Sequence, residues 1–402
     1  MLKEEFQLVQ YDRRDRQKGD LSRFRLENAK KVQAFHSSFP IYRKTPLVSF
    51  KNTAKELGLE NIFIKDESFR FGLNAFKVLG GSFAIGNYMA EKMGKSIENF
   101  TYNDLVSEET RRALGEITFV TATDGNHGRG VAWTAKTLGQ KAVVYMPKGS
   151  ALERLKNILA EGAEASITDM NYDDAVRFAY RQAEEKGWVM VQDTAWEGYE
   201  DIPLWIMQGY GTMAYEAYTQ LEERPTHIFL QAGVGSMAGA VTAFFAELYK
   251  ENCPIITIVE PNKADCIFRT AKANDGKLHY VTGGMDTIMA GLACGEPCSI
   301  GWEILKEYGD HFISCPEYVA AQGMRILGNP AKGDVSIISG ESAAAAFGCV
   351  AEIMRNPALK KWKEKLKLDE NARVLCFSTE GDTDRKGYQS IVWDGAFSRT
   401  KV

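Results

Sequence analysis

The chain has 402 residues but only 11 prolines, 5 histidines and 7 cysteines. No stretch approaches the roughly 18 consecutive apolar residues that a membrane helix needs, so no membrane partner is expected. Charge of either sign is not in excess. Lys plus Arg is 49 and Asp plus Glu is 53, leaving a formal charge of −4. No basic field exists to hold a phosphate backbone, so nucleic acid is not an expected partner. The thinly spread, odd number of cysteines fits a reducing compartment rather than a disulfide framework. The first twenty residues are crowded with charge and carry no apolar core of a secretory signal, so a cytoplasmic location is expected. Cys294 and Cys298 stand four apart, but no second pair of ligands accompanies them. They read as buried or loop thiols, and no metal is expected. A pairing of Cys266 with Cys294 stays open.

What the chain does have is ordinary globular composition, 45% hydrophobic and 25% charged, and 36 glycines. Short β-branched or apolar runs alternate with helical stretches. Strands are predicted at 61–66, 117–122, 141–146, 164–168, 189–192, 227–231, 255–260 and 373–377. Helices are predicted at 76–93, 131–138, 151–161, 172–186, 202–220, 239–248 and 342–354. That alternation calls for parallel βαβ units, an α/β fold of open twisted parallel sheets with helices on both faces. No linker divides the chain. Two interleaved domains are expected, a large one from 1–87 and 197–402 and a small inserted one from 88–196. The polar stretch 95–109 reads as a surface insertion.

Five motifs carry candidate chemistry. Lys77 lies among apolar residues in Asn-Ala-Phe-Lys-Val-Leu-Gly-Gly (74–81), and desolvation there would favour its neutral amine, as Schiff-base chemistry requires. Thr-Asp-Gly-Asn-His-Gly (123–128) follows a strand and opens a helix, so Asp124 and Asn126 can face a ligand that the glycines let approach. Gln-Ala-Gly-Val-Gly-Ser-Met-Ala-Gly (231–239) makes a phosphate cradle of backbone amides at a helix start. Its glycine spacing fits a dinucleotide turn only loosely, although Glu260 falls near the place of that turn's acid. Asp193, in Gln-Asp-Thr-Ala-Trp-Glu-Gly-Tyr (192–199), ends a strand among aromatics and can receive an amino group. Ser378, in Ser-Thr-Glu-Gly-Asp-Thr-Asp (378–384), offers a hydroxyl at a strand end.

In this order the five motifs resemble the pyridoxal-phosphate enzymes of fold type II, the tryptophan synthase β-like family. Within it, Lys-Asp-Glu-Ser-Phe-Arg-Phe-Gly-Leu-Asn-Ala-Phe-Lys (65–77), Thr-Asp-Gly-Asn-His-Gly-Arg-Gly-Val-Ala-Trp (123–133) and Met-Asn-Tyr-Asp-Asp (170–174) resemble the ammonia-lyases that act on 2,3-diaminopropionate. The resemblance extends over nearly the whole chain. It implies pyridoxal 5'-phosphate as cofactor, a homodimer, and α,β-elimination of both isomers of that substrate to pyruvate and two ammonia. It implies that Lys77 binds the cofactor and takes the α-proton of the L-isomer, while Asp124 serves the D-isomer. Asn126 would bond the cofactor's phenolic oxygen. Gly233, Val234, Gly235, Ser236 and Met237 would hold its phosphate. Ser378, with Thr379 as the alternative, would face the ring nitrogen, and Glu341 would lie near the ring edge. Asp124 and Asp193 would bind the substrate's amino groups. A serine/threonine dehydratase or β-replacement enzyme on the same scaffold is the alternative, but dehydratases of the family usually carry a small residue at the place of Asp124.

Overall fold

The computed structural model describes residues 6–11, 19–123 and 125–399. Its strands are β1 (Gln7–Gln10), β2 (Leu47–Ser49), β3 (Asn61–Asp66), β4 (Thr118–Ala122), β5 (Lys141–Met146), β6 (Glu164–Ile167), β7 (Val189–Met190), β8 (His227–Gln231), β9 (Ile255–Pro261), β10 (His311–Cys315) and β11 (Arg373–Ser378). They form a seven-stranded sheet in the order β1-β10-β9-β8-β11-β3-β2 and a four-stranded sheet in the order β6-β5-β4-β7. The five central strands of the larger sheet are parallel, and only its edges, β1 and β2, run antiparallel. The smaller sheet is wholly parallel. β8 and β10 are buried at every position, as strands covered on both faces must be. The fold is therefore α/β with parallel sheets, as the alternation of runs implies.

The order of strands matters more than their number. β11 comes last in the chain yet lies between β8 and β3, with Ser378 beside Asp66 and Val374 beside His227. The loops that leave the carboxyl ends of β3, β8 and β11 are thus neighbours. In open parallel sheets ligands bind at such a crevice. The loops after β4 and β7 of the smaller sheet complete the crevice, since residues from all five loops line one cavity.

Every strand of the smaller sheet falls between residues 118 and 190. The helix Val78–Lys92 runs unbroken through the expected domain boundary at 87/88. It packs closely on the helix Asp201–Gln220, where an added Cβ on Gly80 would stand 2.7 Å from the Tyr210 ring. The stretch 95–109 is less of an outward insertion than its polarity suggests. It forms short helical turns that bury Phe100 and Leu105. The strands β1, β2 and β10 and the helices Leu26–Ser37, Cys266–Ala273, Ser299–Tyr308 and Glu317–Gly328 are absent from the sequence prediction.

A buried ion cluster fixes the segment that leads to Lys77. Arg70 donates to Glu67 at 2.8 Å and to Glu216 at 2.8 Å, and Lys65 donates to the same Glu216 carboxylate at 2.8 Å. Burial alone would raise the Glu216 carboxyl, but Arg70 and Lys65 outweigh it and hold it at about 2. Losing one member would strand a buried charge, a cost of several kcal/mol.

Candidate active site

Lys77 stands immediately before the helix Val78–Lys92. The residues ahead of it are pinned to the loop after β11. Phe76 N–H donates to Thr379 O at 3.0 Å, and Gly381 N–H donates to Asn74 O at 3.0 Å. Asn74 takes a left-handed φ of 59° to make that turn. From the other side the helix Asn126–Thr137 crosses so closely that a Cβ on Gly130 would lie 2.9 Å from Val78 N. The lysine is therefore held by one loop and one helix crossing.

Its ammonium does not sit in apolar surroundings alone. Lys77 forms an ion pair with Asp193, which is 2% exposed. Burial pushes the Asp193 carboxyl up, but Lys77, then His127 and the hydroxyl of Tyr172, draw it down to about 2. Tyr172 donates to Asp193 at 3.3 Å and accepts from Gln192 at 2.9 Å. Gln192 is itself anchored to β4, since its Oε1 accepts from Ala122 N–H at 3.0 Å. An unbroken chain of hydrogen bonds thus ties the carboxylate to the smaller sheet.

The glycine-rich loop leaves β8 and ends at the helix Ser236–Tyr249. Gly235 has φ +96°, which turns the chain into the helix. A Cβ on Gly233 would meet Cys294 Sγ at 3.1 Å and Gly291 O at 3.2 Å. The Ser236 hydroxyl donates to the Asp193 carbonyl, so the loop after β7 is tied to this helix start. All five residues from Gly233 to Met237 line the cavity that Lys77 enters.

Asn126 also lines the cavity, and its amide donates to Glu380. Glu380 accepts in addition from Thr383 at 3.2 Å and from Ser342 N–H at 3.3 Å. Ser378 is buried outside the cavity lining and donates to Ser339 at 2.9 Å. Its neighbour Thr379 lines the cavity and accepts from Gln231 Nε2 at 2.8 Å. Glu341 is buried just behind Glu380. Burial first, and the Glu380 charge second, lift its carboxyl to about 7. Asp124 lies outside the described residues.

The cavity residues not singled out from sequence include Tyr172, Tyr210, Gln231 and Glu380. Tyr172 and Glu380 sit inside phrases that carry the family resemblance, and Gln231 opens the glycine-rich loop. Tyr210 is in the middle of a long helix with nothing local to mark it. All seven cysteines are free thiols, Cys266 and Cys294 included. Among the described residues no group of three or more side chains is arranged to hold a metal.

A lysine amine beside a cradle of glycine-rich backbone amides, at the start of a 14-residue helix, suits a phosphate-bearing aldehyde cofactor. The missing side chain at Gly233 lets the loop run close against Gly291, Leu292 and Cys294. The family model for pyridoxal-phosphate dependent enzymes matches residues 39–380. A diaminopropionate ammonia-lyase of Salmonella typhimurium is 54% identical over 90% of this chain and 91% of its own length. The holo diaminopropionate ammonia-lyase of Escherichia coli has a TM-score of 0.92 at 48% identity, with 98% of each chain covered. The same enzyme with an aminoacrylate-PLP azomethine reaction intermediate has a TM-score of 0.89 at 47% identity, again over 98% of each chain. The chain belongs to the pyridoxal-phosphate dependent enzymes and, within them, to the diaminopropionate ammonia-lyase family. It is a lyase, and its cofactor is pyridoxal 5'-phosphate.

Proposed function

We propose that the enzyme eliminates ammonia from both isomers of 2,3-diaminopropionate and, with one water, yields pyruvate and two ammonia. The observation that carries this reading is the Lys77–Asp193 ion pair beside the glycine-rich helix start. It puts an amine and a buried anion together where an amino acid bearing a second ammonium would react.

Pyridoxal phosphate, when bound, supplies an electron sink for the α-carbon. The rest is work for the chain. Lys77 Nζ attaches the cofactor and, once displaced, removes the α-proton of the L-isomer. Asp124 removes that of the D-isomer. Asp193 receives a substrate ammonium when Lys77 releases it, exchanging one cationic partner for another. Asn126 bonds the phenolic oxygen, and backbone amides from Gly233 to Met237 bind the phosphate. A neutral hydroxyl faces the ring nitrogen. Of Ser378 and Thr379, cavity lining supports Thr379 in that role. Glu341 supports the ring edge from behind Glu380.

Residues 88–196 act as the small domain, with the cofactor between it and the remainder. The enzyme works as a cytoplasmic homodimer. Among the described residues no helix is long and apolar enough to cross a membrane. Light scattering on the purified holoenzyme tests the dimer. The test of the base assignment is pyruvate formation from each isomer by Asp124→Asn. Loss of only the D-activity supports it, and equal loss of both refutes it.

A further inference from the structure

Tyr210 is 1% exposed, lines the cofactor cavity, and its hydroxyl makes no hydrogen bond among the described residues. Leaving a buried hydroxyl unpaired costs free energy, so such a group calls for a partner that arrives with a ligand. The candidates within the protein are already committed. The Asp193 carboxylate is held by Lys77 and Tyr172. Gln231 Oε1 is likewise unpaired but is an acceptor, so it cannot supply what a phosphate needs.

The location says which part of the cofactor is near. Tyr210 packs its ring against Phe76, 4.8 Å between centroids, and over Gly80, three residues past Lys77. One turn earlier on the same helix, Met207 reaches Gly239, where an added Cβ would be 3.2 Å from its Cε. Gly239 is one turn into the helix that Gly235 and Ser236 begin. Tyr210 thus lines the cavity beside Lys77, on a helix that also packs at Gly239. Burial raises its phenol well above the ordinary value, so it stays a donor.

We infer that Tyr210 is a cofactor-binding residue whose hydroxyl donates a hydrogen bond to the phosphate of pyridoxal phosphate, completing a cradle otherwise made of backbone amides. The inference rests on Gly233–Met237 being the phosphate site. A side-chain donor to a dianion in a buried site is a charge-assisted bond, worth roughly tenfold or more in affinity.

The test uses the full chain stripped of cofactor, wild type and Tyr210→Phe, titrated with pyridoxal phosphate, pyridoxal and inorganic phosphate. The expected result is a loss of about tenfold or more in affinity for pyridoxal phosphate. Pyridoxal, which lacks the phosphate, binds both proteins alike, and inorganic phosphate raises the melting temperature of the wild type more than that of the variant. The cofactor-free variant melts no lower than the wild type, because the lost hydroxyl had no partner. Equal weakening toward pyridoxal and its phosphate overturns the inference, as does unchanged affinity for both or a lower melting temperature without cofactor. A wild type that takes up no pyridoxal phosphate strikes instead at the site reading beneath it.

Discussion

Lys77 and Asp193 are 116 residues apart in sequence and form one ion pair inside the cofactor cavity. The pair joins the end of β3's loop to the loop after β7, and so joins the two sheets at the point of reaction. In the proposed reaction each partner has a second use, since cofactor binding at Lys77 would free the carboxylate for a substrate ammonium.

Asp193→Asn is expected to raise KM for diaminopropionate by about tenfold or more, since a charge-assisted bond becomes a neutral one. The wild-type carboxyl ordinarily titrates near 3.8 and is held here at about 2. Its stabilising contribution is fully present above the ordinary value and is lost as pH falls through about 2. The cofactor-free chain, in which Lys77 is the partner, should therefore show no acid loss of stability from Asp193 above pH 4. Steady-state kinetics measure the KM, and melting curves of the cofactor-free chain from pH 4 to 9 measure the pH dependence. An unchanged KM in the variant, or an acid loss above pH 4 that the variant lacks, would contradict the assignment.

Glu341→Gln separates a pH effect from a structural one. The Glu341 carboxyl is lifted from 4.5 to about 7 by burial and by Glu380, with Arg154 opposing and Asp384 adding slightly. The folded chain then holds a proton that the unfolded chain releases. Stability is highest below pH 4.5 and falls as pH rises toward 7. Glutamine cannot ionise, so the variant should flatten that fall and be more stable at pH 8 by roughly 3 kcal/mol. Melting curves of the cofactor-free chain against pH measure it, and a slope unchanged in the variant would contradict it.

Gly130→Ala acts on the lysine through its backbone. The new methyl would lie 2.9 Å from Val78 N and Cα and 3.3 Å from Lys77 C. Backbone cannot yield as a flexible side chain can, so the helices must part. A loss of roughly 1–3 kcal/mol in stability is expected, with weaker cofactor retention. Denaturant unfolding and cofactor content of the purified variant are the measurements.

Much of this was legible in the chain because the informative residues cluster at strand ends. The runs before Asp66, Ala122, Gln231 and Ser378 are apolar and β-branched, and each is followed at once by its motif. The helix Tyr172–Lys186 was legible to the residue, for Asn171 caps its start and Gly187 its end in a left-handed turn. The edge strands β1 and β2 were not, because short half-buried segments carry no alternation. β10 was missed although it is as long and as buried as β8, which also begins with a histidine. In the site, the choice between Ser378 and Thr379 turns on which way a strand end faces, and no local pattern encodes that. Nor does anything around Tyr210 tell that its helix passes over Gly80. The desolvation expected of Lys77 was only half the matter, since its carboxylate partner comes from a distant loop.

The central claim is tested most directly by measuring pyruvate and ammonia released from 2,3-diaminopropionate by the holoenzyme, with Lys77→Ala alongside. The account expects two ammonia for each pyruvate, and a rate lower by about a thousandfold or more in the variant. A holoenzyme that leaves diaminopropionate intact while turning over serine or threonine would contradict it.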